Sequence, residues 1–151
     1  VARGVHAFHG AGRRMEYKGT YHGAEVYDDY AHHPDEVRAT LEAIRGMGSN
    51  RLVLAFQPHT YTRTKLLLED FVRELGKADV LVLAEIYAAR ESNTVGISSA
   101  DLARRIPGAV YCETLQDVTA TLRETIRPGD VVVTMGAGDI FRAGEALLAK
   151  E

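Results

Sequence analysis

RLVLAFQPHTYTRTKLLLEDFVRELGKADVLVLAEIY, residues 51–87, decides the fold. Its two ends, RLVLAF and DVLVLAEIY, are short apolar runs of the kind that form strands buried on both faces. Between them Leu67, Leu68, Phe71 and Leu75 recur at helical spacing, which predicts a helix over 64–77. Strands joined through one amphipathic helix run parallel, because only a long crossover can return the chain to the same end of a sheet.

Outward from this unit the alternation repeats. Upstream, His33-Pro34 opens a helix carrying Val37, Leu41 and Ile44, with Pro34 suited to the first turn, Asp35 and Glu36 beside it, and Gly46 and Gly48 beyond the end. Before that, residues 13–28 place strand-type residues around Lys18-Gly19-Thr20 and His22-Gly23, predicting one or two short antiparallel strands with glycine-containing turns. Downstream, Ser98 or Ser99 can cap the helix DLARRI, and AVYCE reads as a strand. Thr114 can cap LQDVTATLRETI, VVVTM is a further strand, and FRAGEALLAKE closes the chain as a helix. The expected class is α/β: a Rossmann-like open, mostly parallel sheet with helices on both faces and an antiparallel edge.

A length of 151 residues suits one domain, and 46% hydrophobic with 26% charged residues describes an ordinary globule. The net charge of −3, with both signs scattered, offers no basic stripe for nucleic acid and no polybasic segment for a membrane surface. Cys112 has no second thiol to pair with, and no leader-like apolar run opens the chain, so a cytoplasmic setting is expected. Val1 in place of an initiator Met, followed by Gly10 and Gly12, reads residues 1–12 as a linker or the end of a preceding domain and 13–151 as the domain itself.

Sheets of this type bind ligands beyond the carboxyl ends of their strands. Three strand-to-helix loops there are unusually polar: DDYAHHP at 28–34, QPHTYTRT at 57–64 and EIYAARESN at 85–93. In the first, Asp28 and Asp29 are acceptors, Tyr30 is a hydroxyl and a stacking surface, and His32 and His33 precede a positive helix end. Ordinary capping explains one or two of these residues. In the second, His59 and Arg63 flank Tyr61, and the planar guanidinium matches a carboxylate bidentately, so an amino acid is a natural guest. Against this stands a plain helix cap at Thr60 or Thr62. GAGDI at 136–140 could lead phosphate to backbone amides but reads first as helix–sheet packing, and no phosphate loop of the form GxxxxGK[ST] is present.

DDYAHHPDEVRATL and FQPHTYTRT, in this order with a strand between, resemble the C-terminal domain of the Mur ligases, and among these the members that add L-alanine. GAGRRMEYKG, IYAARESNTVGIS and MGAGDIFRAGEALL extend the resemblance over nearly the whole chain. It implies an ATP-dependent ligase of peptidoglycan synthesis that joins L-alanine to UDP-N-acetylmuramate through an acyl phosphate. ATP and magnesium would be held mainly by a central domain, so that this domain is inactive alone. It further implies that Arg14 and Asp29 reach the nucleotide, through phosphate and ribose respectively, and that Tyr30, His32, His59 and Arg63 line the alanine site, with Arg63 on the carboxylate. Some members carry arginine where this chain has Thr60, which leaves more of that task to Arg63. Two other readings stay open: a stand-alone module binding an amino acid or nucleotide, and a metal hydrolase built on His32, His33 and His59.

Overall fold

The computed structural model describes residues 15–48 and 50–149. Its elements in chain order are β1 (Glu16–Tyr21), β2 (Ala24–Asp29), α1 (Pro34–Gly46), β3 (Leu52–Phe56), α2 (Tyr61–Leu66), α3 (Leu68–Leu75), β4 (Val80–Ala84), α4 (Ser99–Arg105), β5 (Val110–Cys112), α5 (Leu115–Thr125), β6 (Val131–Met135) and α6 (Phe141–Leu148). They form one sheet in the order β1-β2-β6-β3-β4-β5, with β1 antiparallel to β2 and every other pairing parallel. The Rossmann-like α/β expectation with its antiparallel edge holds.

The alternation of strand side chains builds two cores. Tyr27, Leu52, Leu54, Phe56, Leu81, Leu83, Val131, Val133 and Met135 face α1, α3 and α4. Val26, Val53, Ala55, Val82 and Val132 face α5 and α6. Strands covered on both sides have no polar face, which is why their sequences are continuous apolar runs. After β5 the chain reverses direction across the sheet and changes face with α5, which keeps the crossover hand and inserts β6 between β2 and β3.

Local chemistry sets the ends of these elements. His22 and Gly23, both at positive φ (48° and 85°), form the β1–β2 turn, whose backbone matches the twist of the hairpin. Lys18-Gly19-Thr20, expected as a turn, lies inside β1, where the register shifts between Tyr17 and Gly19 as a bulge. The predicted 64–77 helix begins earlier, at Tyr61, and kinks at Leu67. Hydrogen bonds from Leu67 N to Arg63 O (3.0 Å) and from Phe71 N to Leu67 O (3.0 Å) carry through the kink. Ser98 and Thr114 cap their helices through side-chain oxygens, as expected.

At the end of the sheet remote from the polar loops, Arg51 clasps buried Asp130 through Nε (3.0 Å) and Nη2 (2.8 Å), and Nη2 also donates to Thr125 O (2.7 Å). Among the described residues no helix is long and apolar enough to cross a membrane. Leu54 is fully buried at the centre of the sheet. Leu54→Ala is expected to lower unfolding stability by about 3 kcal/mol, read as a fall in the urea midpoint with little change in slope.

Candidate functional site

All three polar loops, together with the one after β6, lie at the carboxyl ends of β2, β3, β4 and β6. In the first, Asp29 is fully buried, and its carboxylate accepts from Ala31 N at 2.9 Å and from Thr40 Oγ1 at 2.8 Å. It thereby bends the chain away from the sheet. His32 N and His33 N both donate to Glu36 Oε1 at 3.1 Å, while His33 Nδ1 accepts from Asp35 N at 3.1 Å. That capping box uses His33 as the N-cap of α1. Tyr30 remains exposed, with its ring edge-on to His32 at a centroid distance of 5.5 Å.

Gln57 directly follows β3 and ties it to the loop after β6. Its Oε1 accepts from Asp139 N (3.0 Å) and Ile140 N (3.2 Å), and its Nε2 donates to Asp139 Oδ1 (2.8 Å). Two amides that could have met a phosphate are thus engaged, and the GAGDI stretch serves packing. A Cβ on Gly138 would lie 2.5 Å from Tyr87 Cγ and 2.6 Å from Gln57 Oε1, so glycine is required there for close approach.

His59 is bracketed by two rings. Tyr87 stacks on it at 5.6 Å with an interplanar angle of 22°, and His32 approaches at 5.8 Å. The Tyr87 backbone keeps the stack in place, because Thr60 N donates to Tyr87 O and Tyr87 N to Pro58 O, each at 2.9 Å. His59 Nδ1 is buried and has no hydrogen-bond partner among the described residues. Burial pushes the imidazole pKa down, and the neighbouring His32 and the Arg63 charge add to this against the opposing pull of Glu91.

Thr60 adopts φ 68° and ψ 147°, a conformation that costs a β-branched residue about 1–3 kcal/mol. It is held by the Tyr87 pairing on one side and by Glu91 on the other. The Glu91 carboxylate accepts from Tyr61 N (2.7 Å), Thr62 N (3.1 Å) and Thr62 Oγ1 (2.5 Å) at the start of α2. Arg63, half-buried on that first turn, donates its backbone N–H to Thr60 Oγ1. Its guanidinium has no hydrogen-bond or ion-pair partner among the described residues.

The structure therefore brings together Tyr30, His32, His59 and Arg63 across two loops, while Asp29 lies beneath them and Arg14 falls outside the described residues. His33 is turned to capping, and among the described residues no three His, Cys, Asp or Glu side chains group as metal ligands. Gln57, Tyr87 and Glu91 were legible only as members of polar loops, since nothing local assigns them a partner. Beyond Tyr87 a cleft of about 240 Å³ is lined by Gln57, Glu85, Glu113, Thr114 and Asp139. Its carboxylates disfavour an anionic guest, whereas the histidine side presents an open guanidinium.

Residues 13–138 match the family described as Mur ligase, glutamate ligase domain. The chain is 50% identical over 152 residues to a UDP-N-acetylmuramate–L-alanine ligase of Lachnospira eligens, an alignment covering 98% of this chain and 33% of that protein. It thus spans about a third of the length of the curated relatives it matches. Among solved structures, a UDP-N-acetylmuramate-alanine ligase of Thermotoga maritima matches with 26% identity and TM-score 0.70, over 90% of this chain and 29% of that one. A ligase domain from Haemophilus ducreyi shares the fold at 22% identity and TM-score 0.69, covering 89% of this chain and 97% of that one.

In an NMR titration, His59 is expected to titrate below the ordinary histidine value of about 6.5, and Arg63→Gln is expected to move its midpoint upward. The unfolded chain binds that proton more readily than the folded one. Stability from this group is therefore full above the ordinary value and declines as pH falls through the lowered one.

Proposed function

Because the chain belongs to the Mur ligase, glutamate ligase domain family, we propose that it is the C-terminal, amino-acid-binding domain of the ATP-dependent ligase that adds L-alanine to UDP-N-acetylmuramate in peptidoglycan synthesis. The domain comprises residues 13–151, with 1–12 leading into it from the rest of a cytoplasmic enzyme. The observation that carries this reading is that the Arg63 guanidinium, without a partner among the described residues, acts electrostatically on His59, whose ring meets that of His32 at 5.8 Å.

In this reading Arg63 grips the alanine carboxylate, and Tyr30, His32 and His59 wall the space for a methyl side chain. A neutral His59 puts no positive charge against the incoming amine and offers a ring nitrogen as proton acceptor. The domain contributes positioning and exclusion of water when it closes on its partners. Asp29 acts by shaping the loop that carries Tyr30 and His32. Each of its oxygens keeps acceptor capacity beyond the Ala31 and Thr40 bonds, but Asp29 is fully buried, so a ribose hydroxyl reaches it only if its surroundings open. In the same reading ATP and magnesium are held mainly by a central domain, in the part of a ligase that lies outside the third of its relatives' length spanned by this chain.

The test is ATP-dependent ligation of L-alanine to UDP-N-acetylmuramate, with this chain alone and with the remaining two thirds of a ligase supplied as a separate polypeptide. Product is expected only from the mixture; product from the chain alone overturns the domain assignment, and none from either favours a binding module. In the complete ligase, Arg63→Gln is expected to raise KM for L-alanine on the order of 100-fold, the loss of a charge-assisted carboxylate contact.

A further inference from the structure

The Glu91 carboxylate sits on the Tyr61 and Thr62 amides and the Thr62 hydroxyl, directly before Arg63 in the chain, and the Arg63 charge acts on both Glu91 and His59. Elsewhere in this chain such neighbours pair directly: Arg105 grips Glu69 with two bonds of 2.9 and 2.8 Å. Glu91 does not pair with Arg63. Its Oε1 takes the Tyr61 and Thr62 amides and its Oε2 takes the Thr62 hydroxyl, so every donor it meets comes from the start of α2 and none from the guanidinium one residue further along. Those amides are helix-end donors with no partner of their own within the helix, which makes Glu91 their natural acceptor.

Of these donors only the Thr62 hydroxyl belongs to a side chain, and Thr62 itself is exposed and supports no core. We propose that Thr62 is a positioning residue that latches Glu91 onto the start of α2 and so prevents it from occupying the Arg63 guanidinium, which stays open for the substrate carboxylate. The role rests on the reading of Arg63 given above. Without the hydroxyl, Oε2 turns toward Arg63, and an internal carboxylate then competes with the carboxylate of the amino acid.

The latch predicts an interaction of unusual sign. In the complete ligase, Thr62→Val is expected to raise KM for L-alanine about tenfold with kcat within about twofold, because a competitor for the ground-state contact has been released. Thr62→Ser, which keeps the hydroxyl, is expected to hold the wild-type KM. Adding Glu91→Gln to Thr62→Val is expected to bring KM back toward wild type, since the amide side chain carries no charge to pair with Arg63; a merely structural role makes the double variant worse. Thermal midpoints of all variants establish that they are folded. An unchanged KM in Thr62→Val, or no recovery in the double variant, overturns the latch. If Arg63→Gln itself leaves KM unchanged, the carboxylate reading falls and the latch with it, whereas a raised KM there alongside an unaffected Thr62→Val removes the latch alone.

Discussion

Insertion of β6 between β2 and β3 is the constraint on which the rest of this structure depends. All five of its residues are buried, and it pairs in register with both neighbours. Two loops distant in sequence therefore leave the sheet two strand spacings apart, roughly 10 Å, which their side chains can bridge. The loop that follows β6 must not obstruct them. Gly136 N donates to Asp29 O, and a Cβ on Gly136 would stand 2.8 Å from Gln57 O, so glycine lets the three strand ends close up.

On this frame the polar loops are set by acceptors that satisfy helix-end amides. Asp29 and Glu36 shape the first loop, Gln57 binds the loop after β6, and Glu91 reaches from the third loop to the second. Glu85 does the same for α4: burial alone pushes its carboxyl pKa up, but the Ser99 amide, the Tyr111 hydroxyl and further donors outweigh that and hold it below the ordinary value. With the acids committed in this way, none of the donors that Glu91 accepts from is the Arg63 guanidinium. The strain at Thr60 is sustained because its neighbours on both sides are fixed by Tyr87 and Glu91, partners from the loop after β4.

Reading the chain locally succeeded where a short segment contains its own explanation. The capping box around His33, the caps at Ser98 and Thr114, and the apolar runs of β3, β4 and β6 follow from neighbours within a few residues. It failed where the deciding partner is remote. Gly19 reads as a turn glycine but accommodates a bulge against β2, with Leu148 of α6 3.2 Å from where its Cβ would be. Equally, 64–77 reads as one helix, but the start of α2 is drawn back to Tyr61 by Glu91, thirty residues away.

Of the candidate site, the residue types and their loops were legible, including the pairing of the two histidine-bearing segments. Their arrangement was not. That His59 is sandwiched, that Glu91 faces the start of α2 and that Asp29 lies beneath its loop are consequences of strand order. By itself, the sequence determined the alternation of strands and helices and the chemistry at each strand end, because burial periodicity and capping act over a few residues. Only the tertiary structure decided which strand ends meet, because the position of β6 comes from packing between segments about a hundred residues apart, an interaction that no local pattern encodes.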